Sequence, residues 1–126
     1  MWNPDWLTNF SGNASELEEI MKEHIFHVMQ NVPKLAGDNG KALIAWDVVN
    51  EAIKDWPPST MYKPNVWYNH IPDYVEKAFS FAQQADPSIL AFYNDYNMMS
   101  DSKSDKVVAM VKGMQKKNIK IDGIGI

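Results

Sequence analysis

Asn50 and Glu51 close the run Trp46-Asp-Val-Val-Asn-Glu51, an apolar stretch that stops abruptly on an amide and a carboxyl group. A carboxylic acid can protonate a leaving oxygen, and an amide both donates to and accepts from a sugar hydroxyl through one planar group. Glycoside hydrolysis needs such an acid, together with a second carboxylate on the opposite face of the sugar ring. A second polar cluster, Asn94, Asp95, Tyr96 and Asn97, follows another apolar run, Ile89-Leu-Ala-Phe-Tyr93. By pattern alone, Glu51 equally fits a surface acid at the start of a loop. Tyr96 also fits a core aromatic, since large aromatics mostly serve packing.

The elements around these clusters decide where they point. Ser15 and Glu18 have capping-box spacing and predict a helix over about residues 15–30. Leu17, Ile20, Met21, His24, Ile25, Val28 and Met29 recur along it at helical period as one apolar stripe. Pro33 and the turn at 37–40 end that unit. Residues 42–49 are apolar on both faces, as a parallel strand covered by helices should be. A long aromatic loop over 53–71 leads to a helix that opens at Pro72 and Asp73 and closes at Asp86-Pro87. Val75, Ala78, Phe79 and Ala82 form its stripe. A second strand at 89–94 follows, then a helix over 102–117 with Val107, Val108, Val111 and Met114 on one side, and a last strand at 119–126.

Helix and strand alternate throughout, which predicts an α/β fold with a parallel sheet and right-handed crossovers. In such sheets the loops at the strands' C-terminal ends carry function, and both polar clusters fall there. No glycine-rich turn joins a strand to a helix, as a dinucleotide or phosphate binder would require. That favours a barrel over a nucleotide-binding sheet. A closed eightfold barrel takes about 250 residues, so three strands amount to roughly three-eighths of one.

The remaining composition excludes several classes. The chain has 126 residues, 45% of them hydrophobic, with a net charge of −4 and no cysteine. No basic stripe suits nucleic acid, no apolar run could span a bilayer, and neither disulfides nor thiolate metal sites can form. Met1-Trp2-Asn3-Pro4 has neither a basic nor an apolar leader character, so no signal peptide is expected. His24 and His27 have a spacing that could chelate a metal, but without a partner ligand they read as structural or solvated. Asp47 is expected to pair with a neighbour inside the barrel. Trp56, Tyr62, Trp67 and Tyr68 could line distal sugar subsites, and packing the long loop down is the favoured reading. Asn9-Phe-Ser11 and Asn13-Ala-Ser15 are glycosylation sequons, relevant only in a eukaryotic secretory pathway. The apolar run 119–126 reaches the last residue, which predicts an excised piece of a longer chain.

Trp46-Asp-Val-Val-Asn-Glu-Ala-Ile53 resembles the acid/base signature of glycoside hydrolase family 10, the endo-1,4-β-xylanases. The resemblance continues through Ala85-Asp-Pro87, Phe92-Tyr-Asn-Asp-Tyr-Asn97 and Ile121-Asp-Gly-Ile-Gly-Ile126. Pro4-Asp-Trp6 is similar to the segment after that family's third strand, so the likeness covers essentially the whole chain. It implies that Glu51 is the general acid/base of a retaining mechanism. Asn50 would bond the sugar 2-hydroxyl in the −1 subsite, and Tyr96 would lie under the +1 sugar. Asn94, Asp95 and Asn97 would support them.

The resemblance further implies that residues 1–126 are a partial catalytic domain truncated at both ends. It would hold the fourth to sixth strands of a (β/α)8 TIM barrel with their helices. The nucleophile belongs to the seventh strand, outside the chain. The family's Trp-His segment on the third strand is absent, and Trp2 stands where the family usually has a Gln. The implied substrate is xylan or a xylo-oligosaccharide, with no metal or organic cofactor and no nucleic-acid or membrane partner. The parent enzyme would be secreted or cell-surface. The isolated piece would be inactive and would self-associate through open sheet edges. Two other readings stand beside this one: a β-1,4-glucanase of the same clan, which also ends its fourth strand in Asn-Glu, and a non-catalytic β-glycan-binding module.

Overall fold

A computed structural model describes residues 3–35 and 43–126. The expected turn at 37–40 and the first residue of the expected first strand, Ala42, lie outside the described residues. The elements run α1 (Asp5–Thr8), α2 (Ala14–Leu35), β1 (Ala45–Asn50), α3 (Val66–His70), α4 (Tyr74–Ala85), β2 (Leu90–Asn94), α5 (Asp101–Lys116) and β3 (Gly123–Gly125). The three strands form one parallel sheet in the order β1-β2-β3. Among the described residues no helix is long and apolar enough to cross a membrane.

Helix α2 does begin with a capping box, two residues earlier than expected. Asn13 Oδ1 accepts from the Glu16 N–H at 3.0 Å, and the Asn13 N–H donates to Glu16 Oε2 at 2.9 Å. Asn caps as well as Ser does, and the same three-residue spacing occurs twice in this stretch. Glu18 is thereby free to pair with Lys77 of α4 at 2.8 Å, tying the two outer helices together. The helix also continues to Leu35, past Pro33. Its buried stripe is Leu17, Met21, Ile25 and Met29, narrower than expected, and His24 is exposed.

Val75, Ala78, Phe79 and Ala82 of α4 are buried against α2 and the sheet, as the stripe predicted, and Tyr74 is buried beside them. Helix α5 differs. Val107 and Met114 are buried, but Val108 is exposed, and Lys103, Lys106 and Met110 complete the inward face. Two lysines there replace an expected valine because each finds oxygen partners beneath the loops, as described below.

Register fixes which strand residues face the helices. Trp46 and Val49 lie beside Ala91 and Tyr93, while Asp47 and Asn50 lie beside Phe92 and Asn94 on the opposite face. A bulge between Asp47 and Val49 shifts the pairing, so that Asn50 ends level with Asn94. Asp47 is exposed on that face and, among the described residues, finds no partner, contrary to expectation. Strand β3 is shorter than the expected 119–126. The Ile119 N–H bonds the Met114 carbonyl at 3.0 Å and the Lys120 N–H bonds Gln83 Oε1 at 3.0 Å, so both are taken before pairing begins. Gly123 adjoins Phe92, whose ring occupies the space a β-carbon would need.

Candidate active site

Glu51 is the first residue beyond β1, with a left-handed backbone (φ 54°) that turns the chain sharply out of the strand. Its N–H still donates to the Asn94 carbonyl at 2.8 Å, which fixes the acid at the rim of the sheet. The carboxyl is accessible to solvent, with Lys63 Nζ 4.0 Å from Oε2. Glu51 and Lys63 line a cavity of about 350 Å³ together with Asn3, Thr8, Pro64, Asn65 and Val66.

Asn50 is exposed beside the acid, and Asn94 Nδ2 donates to its Oδ1 at 2.7 Å. With its oxygen engaged, Asn50 presents its NH₂ group to any ligand, so the bond sets which end of the amide faces outward. Gly125 makes this possible: a β-carbon there would lie 2.6 Å from Asn94 Oδ1. Gly125→Ala therefore displaces the Asn94 amide and releases Asn50. The expected result is loss of the Asn94–Asn50 bond, with a stability loss of about 0.5–1.5 kcal/mol, the usual worth of one hydrogen bond. NMR of the two side-chain amides alongside urea unfolding checks this, and unmoved amide signals would refute the link.

Tyr96 is 46% exposed on the loop after β2. Its hydroxyl donates to Asp55 Oδ2 at 3.3 Å and accepts from Lys63 Nζ at 3.3 Å. Lys63 Nζ also lies 4.7 Å from the ring centroid and Lys103 Nζ lies 3.9 Å from it. Such cation–π contacts hold a ring in one orientation. Asp95 stands apart from the other polar residues of its cluster, being only 2% exposed. It pairs with Lys103 Nζ at 2.9 Å, accepts from the Tyr96 N–H at 2.9 Å and accepts from the Tyr93 hydroxyl. Asn97 is exposed and left-handed (φ 59°), turning the chain into α5.

These contacts join three loops into one network. Tyr93, fully buried, accepts the Ile53 N–H at 2.9 Å just beyond the acid and donates to Asp95. Burial pushes the Tyr93 phenol far above its ordinary range, reinforced by Asp95, so it remains a donor. Lys103, with no exposed surface, pairs with Asp55 at 2.6 Å as well as with Asp95. Burial works against the Lys103 ammonium, but the two carboxylates outweigh it and raise its pKa. The Lys103 ammonium beside Asp55 holds that carboxyl below its ordinary value. Tyr93, Asp55, Lys63 and Lys103 escaped sequence reasoning, and the family-like Asn94-Asp95-Tyr96 run signalled only the segment they support.

Tyr62, Tyr68 and Tyr74 pack edge to face, with Tyr62 ring centroids 5.6 and 5.9 Å from the other two, and Trp67 is half-buried. The long loop is thus packed down by these residues, but not by Trp56, which is 71% exposed. Among the described residues no group of three or more His, Asp or Glu gathers where it could hold a metal ion.

Comparison with known proteins follows the same lines. The model of glycosyl hydrolase family 10 matches residues 1–126. The chain is 40% identical over 124 residues to endo-1,4-β-xylanase B of Thermotoga neapolitana, covering 97% of this chain and 33% of that protein. It superposes on native xylanase 10B of Thermotoga maritima with a TM-score of 0.81 at 37% identity, covering 96% of this chain and 35% of the other. A variant of xylanase 10C from Cellvibrio japonicus in complex with xylopentaose matches with a TM-score of 0.84 at 33% identity, over 97% of this chain and 24% of that one. The chain therefore spans about a third of the T. neapolitana relative's length. Its three parallel strands and their helices form part of a (β/α)8 barrel, and the chain belongs to glycosyl hydrolase family 10.

Proposed function

We propose that this chain supplies the general acid/base side of an endo-1,4-β-xylanase site. The observation that carries the reading is Glu51, turned out of the end of β1 beside an Asn50 amide oriented by Asn94. Glu51 protonates the glycosidic oxygen as the bond to the leaving xylosyl unit breaks, then takes a proton from the water that hydrolyses the glycosyl-enzyme intermediate. Asn50 donates to the sugar hydroxyl nearest the cleaved bond, and Tyr96 stacks beneath the sugar on the leaving side. A phenol suits that position, since its ring meets the apolar face of a pyranose while its hydroxyl stays hydrogen-bonded.

Double displacement needs a second carboxyl group about 5–5.5 Å from the first. Asp95 is buried and held by Lys103, Tyr93 and the Tyr96 N–H, which leaves it no freedom to attack a sugar. In this reading the nucleophile comes from outside these 126 residues, and the substrate is xylan, as the names of the relatives suggest.

The test is a chimera in which this chain replaces the matching third of T. maritima xylanase 10B. The chimera should release reducing sugar from xylan in preference to carboxymethylcellulose. Glu51→Gln in it should lower turnover by about 10²–10⁴-fold, the usual worth of a positioned general acid. Turnover that survives Glu51→Gln refutes the assignment of the acid, and preference for the glucan refutes the substrate.

A further inference from the structure

Glu51 is held in a conformation that its own residue type disfavours. A left-handed backbone crowds any residue that carries a β-carbon, and it persists only where the surroundings enforce it. At Glu51 φ is 54°, and the place of the carboxyl at the rim depends on that turn. Backbone bonds hold the turn on both sides. The Glu51 N–H donates to the Asn94 carbonyl at 2.8 Å, and the Ala52 carbonyl accepts the Lys63 N–H at 2.8 Å. The next donor in the chain, the Ile53 N–H, is taken by a side chain instead. It meets the Tyr93 hydroxyl at 2.9 Å, and both residues are fully buried. A buried N–H left without an acceptor is costly, so this bond fixes where the backbone runs two residues past the acid.

The Tyr93 hydroxyl is itself fixed. It donates to Asp95 Oδ2, while Asp95 Oδ1 is taken by Lys103 Nζ at 2.9 Å and by the Tyr96 N–H at 2.9 Å. With its proton committed to a carboxylate, the hydroxyl has only lone pairs to offer, and one of them faces Ile53. A phenylalanine would fill the same space in β2 and accept nothing. A continuous line of bonds thus runs from Lys103 and Asp95 through Tyr93 to the backbone beside the acid. We propose that Tyr93 is a positioning residue for the general acid: its hydroxyl, oriented by Asp95, holds the Ile53 backbone and with it the turn that aims the Glu51 carboxyl. The inference rests on the reading of Glu51 as the acid and extends it. Proton transfer requires the carboxyl to come within hydrogen-bond reach of the leaving oxygen, so a displaced turn is felt first at that step.

The experiment compares Tyr93→Phe with the unsubstituted sequence in the chimera described above, on two aryl β-xylobiosides. One carries a dinitrophenyl leaving group, which departs without a proton, and the other a phenyl group, which needs one. Each kcat/KM reports bond cleavage, and the amount of folded enzyme cancels from their ratio. Tyr93→Phe should lower the phenyl-to-dinitrophenyl ratio by about ten- to a hundredfold, the range of a misplacement of up to about 1 Å. Glu51→Gln should lower it by about 10²–10⁴-fold, the full worth of the acid. A ratio unmoved in Tyr93→Phe but lowered in Glu51→Gln overturns this proposal and leaves the acid standing. A ratio unmoved in Glu51→Gln overturns the two readings together. NMR of the 126-residue chain gives an independent check. Its Ile53 amide should resist hydrogen exchange, and Tyr93→Phe should remove that protection and shift the Glu51 carbon resonances off their left-handed values. Rapid exchange at Ile53 in the unsubstituted chain would equally overturn the proposal.

Discussion

Purified as 126 residues, the chain should release no reducing sugar from xylan above the level of its own Glu51→Ala variant. The acid is present and accessible, so the expectation rests on the second carboxyl group. Among the described residues four carboxylates lie near the sheet beside Glu51, and each is unsuited to attack. Asp55, on the loop after β1, is committed to Lys103 at 2.6 Å and to the Tyr96 hydroxyl at 3.3 Å. Asp95 is enclosed, with Lys103 at 2.9 Å and the Tyr96 N–H at 2.9 Å on Oδ1 and the Tyr93 hydroxyl on Oδ2. Asp122 lies just before β3, at the far end from the rim, where its Oδ2 accepts the Ala91 N–H at 2.8 Å and pairs with Lys120 at 3.2 Å. Asp47 faces the same side of the sheet as Asn50 but sits level with Phe92, below the rim. Losing the nucleophile from a concerted set costs on the order of 10⁴–10⁶ in turnover, below the background of a reducing-sugar assay. Turnover lost in both Glu51→Ala and Asp47→Asn would show that the chain holds a complete site of its own.

The parts of this architecture that could be read in the sequence are those written in periodicity. Residues 75, 78, 79 and 82 report their burial through spacing alone, and the apolar runs before Asn50 and Asn94 announce strands whose tips carry polar groups. Placement at an element's start was harder, since Asn13–Glu16 and Ser15–Glu18 offer the same signal two residues apart and only one can cap. The supporting network was invisible for a different reason. Lysine at 103 and 106 counts as polar in any pattern, and its burial depends on oxygens contributed by Lys54, Asp55, Pro57 and Asp95 from two other loops. No local rule brings those segments together. With Lys103 and Lys106 on the inward face of α5, Val108 meets solvent instead of the core. Aromatics in long loops generally pack, a rule that Tyr62, Tyr68 and Trp67 obey and Trp56 does not.

Lys103→Met is expected to be among the most damaging single substitutions in the chain, at about 3–5 kcal/mol, the usual loss when one partner of a buried ion pair is removed. The loss arises from what remains. Asp95 is 2% exposed and would be left with a charge matched only by the Tyr93 hydroxyl and one backbone N–H. Asp55 suffers less, because its carboxyl already reaches water. The asymmetry makes the claim testable by a cycle. Adding Asp95→Leu to Lys103→Met removes the stranded charge and should recover a large part of the loss, since apolar replacement of a whole buried pair is often neutral. Asp55→Asn alone should cost less than Lys103→Met, because the buried ammonium keeps Asp95 as its partner and the Asp55 side chain is partly in water. Urea unfolding of the four variants gives the comparison, with an unchanged denaturant slope showing that stability alone has moved. A loss under about 1 kcal/mol for Lys103→Met, or a double variant weaker than the sum of its parts, would mean that the network is held by its surroundings rather than holding them. In that event the orientation of Tyr96 would have to come from Lys63, its one other cationic neighbour among the described residues.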